Sequence, residues 1–160
     1  MASLPILSVF LMTISICTTG YIGCDASYRV KRVYLDLDRE KTLQLFSDGE
    51  GNWFDNAKHP LPQLDGCIDI DITATPFTNT LPIRRLAWQA GQKRTLSMVY
   101  FHIPELTFER AEQEYTCVEQ TDSSSMFQFT QTDFTARITF DSYGFVRDYP
   151  ALFRRLSSFS

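Results

Sequence analysis

Two aspartates, two arginines and a short set of polar loop residues are where this 160-residue chain could do chemistry. Asp69 and Asp71 lie two apart in Cys67-Ile68-Asp69-Ile70-Asp71-Ile72. On an extended backbone both carboxylates then share one strand face, with Cα atoms roughly 6.5–7 Å apart. Carboxylates so placed can serve as general acid and base, or bind a divalent cation through oxygen. Nothing in the pattern sets the other oxygen donors, Asp36, Asp38 and Asp65, beside them, so no metal site is expected. The simpler role is a polar strand face, or an ion pair with Arg84 or Arg85 across a sheet, worth about 0.2–1 kcal/mol. Read as extended, Leu81 to Trp88 points Arg84 and Arg85 to opposite faces. One can then pair with a carboxylate while the other addresses an anionic or sugar group. Between the two segments, Pro76 stops the first strand because it has no N–H to give a ladder. Thr78 and Asn79 suit the irregular loop that follows, since their side chains hydrogen-bond nearby backbone.

Other chemistries have less to stand on. His59 lies in a proline-rich loop and His102 alternates with Tyr100 along a strand. No G-x-S-x-G elbow poises a nucleophile, and no glycine-rich loop cradles a phosphate. A hydrolase using Asp69 or Asp71 is the sharpest enzyme reading, set against a non-catalytic binding protein and a protein-interaction module. The four cysteines (Cys17, Cys24, Cys67, Cys117) have neither CxxC pairing nor histidine partners, which argues against zinc. Cys67 and Cys117 fall in strand-like runs and read as buried small hydrophobes. With a formal net charge of −4 and dispersed lysines and arginines, the chain lacks the basic face that nucleic acid requires. No motif calls for a cofactor.

The elements that must position these residues are strands. Apolar residues make up 44% of the chain and aromatics 14%, enough for a folded core. Arg29 to Leu37 alternates with period two, Val33, Leu35 and Leu37 against Arg32, Tyr34 and Asp36. Thr42–Phe46 follows, and Ser47-Asp48-Gly49-Glu50-Gly51 turns the chain. Cys67–Ala74, Leu81–Trp88, Thr95–Ile103, Thr107–Arg110, Glu114–Gln120, Phe127–Thr132, Phe134–Asp141 and Phe145–Tyr149 read as further strands. Pro150 to Leu156 reads as a short C-terminal helix with proline at its first position. Many short strands joined by tight turns predict an all-β, mainly antiparallel single domain. The opening run Leu4 to Ile16 is apolar for thirteen residues, too short for a stable transmembrane span and of the length of a signal-peptide core. An N-terminal strand is the other reading, from Val9, Ile14 and Ile16. Residues 1–20 are thus set apart, as a signal-like segment, a strand or a misassembled start, from a domain over 21–160.

Two blocks carry a family resemblance: Leu64-Asp65-Gly66-Cys67-Ile68-Asp69-Ile70-Asp71, and Thr75-Pro76-Phe77-Thr78-Asn79-Thr80-Leu81-Pro82-Ile83-Arg84-Arg85-Leu86. Gly49–Trp53, Tyr115-Thr116, Asp133–Ala136 and Tyr149-Pro150 add to it. From about Tyr21 to its end, the chain resembles the putative glycolipid-binding protein family. The resemblance implies a single antiparallel sheet curled into a β-roll or incomplete barrel, similar to the lipoprotein-carrier folds. It also implies an amphipathic ligand such as a glycolipid, held in the concave face beneath the many Phe and Tyr rings. Arg84, Arg85, Asp69, Asp71, Asn79, Thr78, Phe77 and Trp88 are the candidate ligand-binding residues. No catalytic residues come with the family. It implies a cytoplasmic location, which a working signal segment would change to secretory.

Overall fold

A computed structural model describes residues 8–15, 18–73, 75–150 and 152–155. The chain divides into two compact units, residues 1–75 with 97–111, and residues 76–96 with 112–160.

The first unit begins with an antiparallel meander of Ser8–Ser15 (β1), Thr18–Cys24 (β2), Val30–Leu37 (β3), Lys41–Ser47 (β4) and Trp53–Phe54 (β5). Period-two alternation makes β3: Val33 and Leu35 are buried, whereas Arg32, Tyr34 and Asp36 are half-exposed. The β2–β3 turn is closed by the Asp25 carboxylate, which accepts the backbone N–H groups of Ser27 and Arg29 at 2.9 and 3.0 Å. Beyond β4, the Asp48 carboxylate accepts the N–H groups of Glu50 and Asn52, and the buried Lys31 donates to the Asp48 carbonyl. Gly51 then brings the chain against Gly66, whose N–H donates to the Gly51 carbonyl at 2.9 Å. The buried Trp53 indole donates to the Cys67 carbonyl at 2.8 Å, tying the same two segments together.

Asp69–Ile72 (β6) follows, and Lys93–His102 (β7), Thr107–Gln120 (β8), Ser124–Gln131 (β9), Phe134–Asp141 (β10), Val146–Tyr149 (β11) and Phe153–Arg154 (β12) complete the strands. They hydrogen-bond in the order β12-β11-β10-β9-β8-β7-β6. One six-residue helix, Thr80–Arg85 (α1), precedes β7. In the second unit the apolar faces of β8, β9 and β10 bury Tyr115, Cys117, Phe127, Phe129, Ile138 and Phe140. No helix among the described residues is long and apolar enough to cross a membrane.

The all-β class expected from the sequence is what the chain adopts, with four departures. The strands form two hydrogen-bonded sheets rather than one. β5 is two residues long, and the chain beyond it carries Pro60 and Pro62, which cannot donate to a continuing ladder. The pair β6–β7 is parallel, Asp69 facing Met98 and Ile72 facing Phe101, because about twenty intervening residues containing α1 form a crossover. Leu81–Trp88 is not a strand: Pro82 falls in the first turn of α1, where its missing N–H costs no helical bond, and Leu81 and Pro82 are buried. The expected C-terminal helix is replaced, within the described residues, by β12. Phe153 pairs with Tyr149, and Arg155 N–H donates to the Arg147 carbonyl. At the other end, Ser8–Ser15 is a strand, while the rest of the opening segment, residues 1–7 and 16–17, lies outside the described residues.

The Gly51–Gly66 approach makes a testable contrast. A Cβ on Gly51 (φ +99°) would stand 3.0 Å from the Gly66 Cα, whereas one on Gly66 (φ +85°) would meet only the Arg110 guanidinium at 3.7 Å. Both alanine variants carry left-handed backbone strain, about 1–3 kcal/mol. Gly51→Ala adds a backbone clash, so urea denaturation is expected to rank it clearly less stable than Gly66→Ala. Equal losses would mean that the close approach contributes nothing.

Candidate functional site

At one end of the second unit, two hairpin tips and the end of α1 enclose an open groove of about 310 Å³. The β8–β9 tip contributes Gln120, Thr121, Asp122, Ser124 and Ser125, the β10–β11 tip Asp141 to Gly144, and α1 contributes Ile83 and Arg84. Apart from Ile83 and Gly144, every lining side chain can give or take a hydrogen bond.

Each tip is locally braced. The Thr121 hydroxyl accepts the Ser124 N–H at 3.1 Å, and Thr121 N–H donates to the Ser124 carbonyl at 2.8 Å. At the other tip, Asp141 Oδ1 accepts the N–H groups of Tyr143 and Phe145 at 2.9 and 3.0 Å, and Oδ2 accepts from Arg155 Nη1 at 2.8 Å. Burial by itself would push the Asp141 carboxyl up. Hydrogen bonds from Arg155, Phe145 and Tyr143, with the Arg155 charge, outweigh it and hold the group below the usual carboxylate range. Arg84 lies over this tip. Its guanidinium donates to the Tyr143 carbonyl and stands 5.9 Å from the Phe145 ring centre, and Phe145 in turn contacts the Phe77 ring at 6.3 Å. Gly144 lets Arg84 come this close: a Cβ there would sit 2.9 Å from Arg84 Cγ. Tyr143 is left 70% exposed beside the groove.

Of the residues singled out in the sequence, Arg84 lines the groove and Phe77 supports it through Phe145. Thr78 and Asn79 are buried behind it, the Asn79 amide donating to the Tyr115 hydroxyl at 2.8 Å. Trp88 is buried as well. Its ring meets Phe127 edge-on at 5.0 Å, Arg94 stacks over it at 5.1 Å, and its indole donates to the Pro82 carbonyl at 3.2 Å. Arg85 is half-buried on α1. A helix separates consecutive side chains by about 100°, so Arg84 and Arg85 do not take the opposite faces an extended segment would give them. Asp69 and Asp71 belong to the first unit, on β6. Asp69 is 1% exposed, and burial, Asp25 and Asp69 together push the Cys24 thiol up to about 12. Cys24, Cys67 and Cys117 are buried, as expected for Cys67 and Cys117.

Asp122, Ser142 and Tyr143 were missed, because they fall between the strands read from the sequence and are residue types that singled out no chemistry there. The available signal was an aromatic residue at a turn tip, where no core demands one.

With fold and groove in view, the chain is similar to one family by sequence and to one crystal structure by shape. The family model described as "Putative glycolipid-binding" matches residues 16–155, and the chain belongs to that family. A crystal structure of a DUF1089 family protein from Pseudomonas aeruginosa superposes with a TM-score of 0.78 at 28% identity, covering 93% of this chain and 91% of that one. No curated protein matches.

The Asp141 carboxylate gives a pH-dependent prediction. Its pKa is lower folded than unfolded, so its stabilisation is complete above the unfolded value, about 3.9, and is lost as pH falls through the folded one. Asp141→Asn is expected to be less stable than wild type at neutral pH, with the gap closing below about pH 4. Urea melts at pH 7, 5 and 3 measure it, and a gap unchanged in acid would contradict the assignment.

Proposed function

We propose that this chain binds a glycolipid-class amphipathic ligand without converting it, seating the sugar headgroup in the groove between α1 and the two hairpin tips. The observation that carries this reading is the groove's composition. A guanidinium (Arg84), a carboxylate (Asp122), four serine or threonine hydroxyls and an exposed tyrosine ring surround one open depression. Sugars need such partners: hydroxyls bridge to charged groups that donate or accept in pairs, and the C–H face of the ring packs on an aromatic. Membership of a family described by glycolipid binding supports the same class of ligand.

For the apolar part of the ligand, a second depression of about 420 Å³ lies at the opposite end of β11, lined by Tyr149, Pro150, Leu152 and Phe153 with Asp148 and Arg154 at its margin. At about 3.4 Å per residue, β11 separates the two depressions by some 10–15 Å, within reach of one acyl chain. The aromatic face foreseen as a greasy concavity enters this proposal only at that edge. Farther in, Trp88, Phe127 and Phe140 pack edge-on at 5.0 and 5.5 Å.

Binding is favoured over glycoside hydrolysis because an acid catalyst needs a carboxyl with a raised pKa. Asp141 is shifted the other way and held by Arg155.

Native mass spectrometry of the purified chain is expected to find a retained glycolipid. Phosphatidylcholine vesicles carrying a glycosyl-diacylglycerol should bind the protein better than plain ones. Arg84→Ala and Asp122→Ala should each weaken the sugar-dependent part roughly tenfold or more, with far-ultraviolet dichroism unchanged. Leu152→Asp should weaken binding to both vesicle types. No retained lipid together with equal binding to both vesicles would refute the proposal.

A further inference from the structure

Four strands end the two sheets, and three of them are poor templates for further pairing. β5 and β12 are two residues long, and four-residue β6 carries the carboxylates of Asp69 and Asp71. Short strands and inward charges are standard protections of an exposed ladder edge. β1 has none of these. It runs for eight residues, Ser-Val-Phe-Leu-Met-Thr-Ile-Ser, without a charge, proline or glycine. One edge pairs with β2 in register from Ser8–Cys24 to Ser15–Thr18, and among the described residues no strand takes the other edge.

The exposed face makes the same point. Tyr34 stands opposite Tyr21 and Tyr21 opposite Leu11, so one row crosses β3, β2 and β1 on a single face. The two tyrosine rings stack at 5.5 Å with Arg32 over Tyr21 at 4.9 Å, and the row then stops at a leucine that is 82% exposed. Val9, in the next row, is 57% exposed.

We infer that the free edge of β1 pairs with β1 of a second copy of this chain, antiparallel about a two-fold axis, joining the two five-stranded sheets into one. Four features select this occupant. A two-fold axis places a strand opposite itself, and a strand with no charge meets no like-charge repulsion when it does so. The first sheet is antiparallel throughout, so the new pair continues its pattern. An axis perpendicular to the sheet keeps Val9 and Leu11 of both copies on one face, where each covers the other. Eight residues also supply a ladder as long as any in that sheet.

Light scattering coupled to size exclusion, over a concentration series, tests this on the full chain. The wild type is expected at twice 18.4 kDa. Leu11→Lys should lower the mass to that of one copy, because it sets like charges opposite each other and is itself an edge-blocking residue. As Leu11 is 82% exposed, the variant should keep the wild-type far-ultraviolet dichroism. Val118→Lys, changing an exposed residue of β8, should leave the mass doubled. A wild type that stays a single copy at every concentration overturns the inference, as does a double mass unmoved by Leu11→Lys. Open-ended, polydisperse assembly of the wild type also overturns it, because a two-fold pair closes.

Discussion

The groove exists because one carboxylate cannot leave its turn. Asp141 receives two backbone N–H groups from within the β10–β11 tip and a guanidinium from the chain beyond β11, so the turn and the tail share one charge. Arg155 also donates to the Val146 carbonyl at 2.8 Å, which holds β11 and the tail in step. With the tip braced in this way, Gly144 has no side chain to keep Arg84 away, and Arg84 donates to the Tyr143 carbonyl there. Each charge in this arrangement is directed: the acid is satisfied inward, whereas Arg84, on the other side of the same turn, forms part of the groove wall.

How much of this was legible depended on whether the controlling forces were local. β10 was read in full, Phe134–Asp141, because alternation fixes a half-buried strand by itself. Buried Cys67 and Cys117 were likewise foreseen from apolar context. α1 was not, since six residues with a proline carry too little periodicity to oppose the extended pattern around them. What decides it is tertiary: Leu81 and Pro82 are buried, and the Trp88 indole closes on the Pro82 carbonyl. The tail was lost for the same reason, as the long-range Arg155–Asp141 pair outweighs the helical start that Pro150 suggests. In the site, Arg84 was found from sequence, but its partners lie 36 to 60 residues away on two tips that no local pattern connects.

The aromatic wealth of the chain has a more ordinary use than its abundance suggests. Tyr115, Phe127, Phe129 and Phe140 are each buried and lie in edge-to-face contact with a neighbouring ring, at 5.3 Å between Tyr115 and Phe129. Such contacts add about 0.5–1.5 kcal/mol beyond the area they bury, which a guest molecule would have to replace contact for contact. Rings at the margin are in another position. Phe134 is 44% exposed, and the Tyr149 and Phe153 rings meet at 6.2 Å beside the apolar depression. Apolar surface already facing water costs nothing to cover, so an acyl chain gains most there.

An amphipathic ligand therefore favours the periphery of this fold over its interior. At the tips, turns already require small polar residues to satisfy their backbone, and the same hydroxyls and carboxylates remain available to a sugar. Thr121 and Asp141 spend themselves on the turns, while Asp122 and Tyr143 are exposed beside them. A site assembled this way can change its sugar preference by substitution at a tip, because none of the residues that would be replaced is part of the ring packing that holds the second unit together.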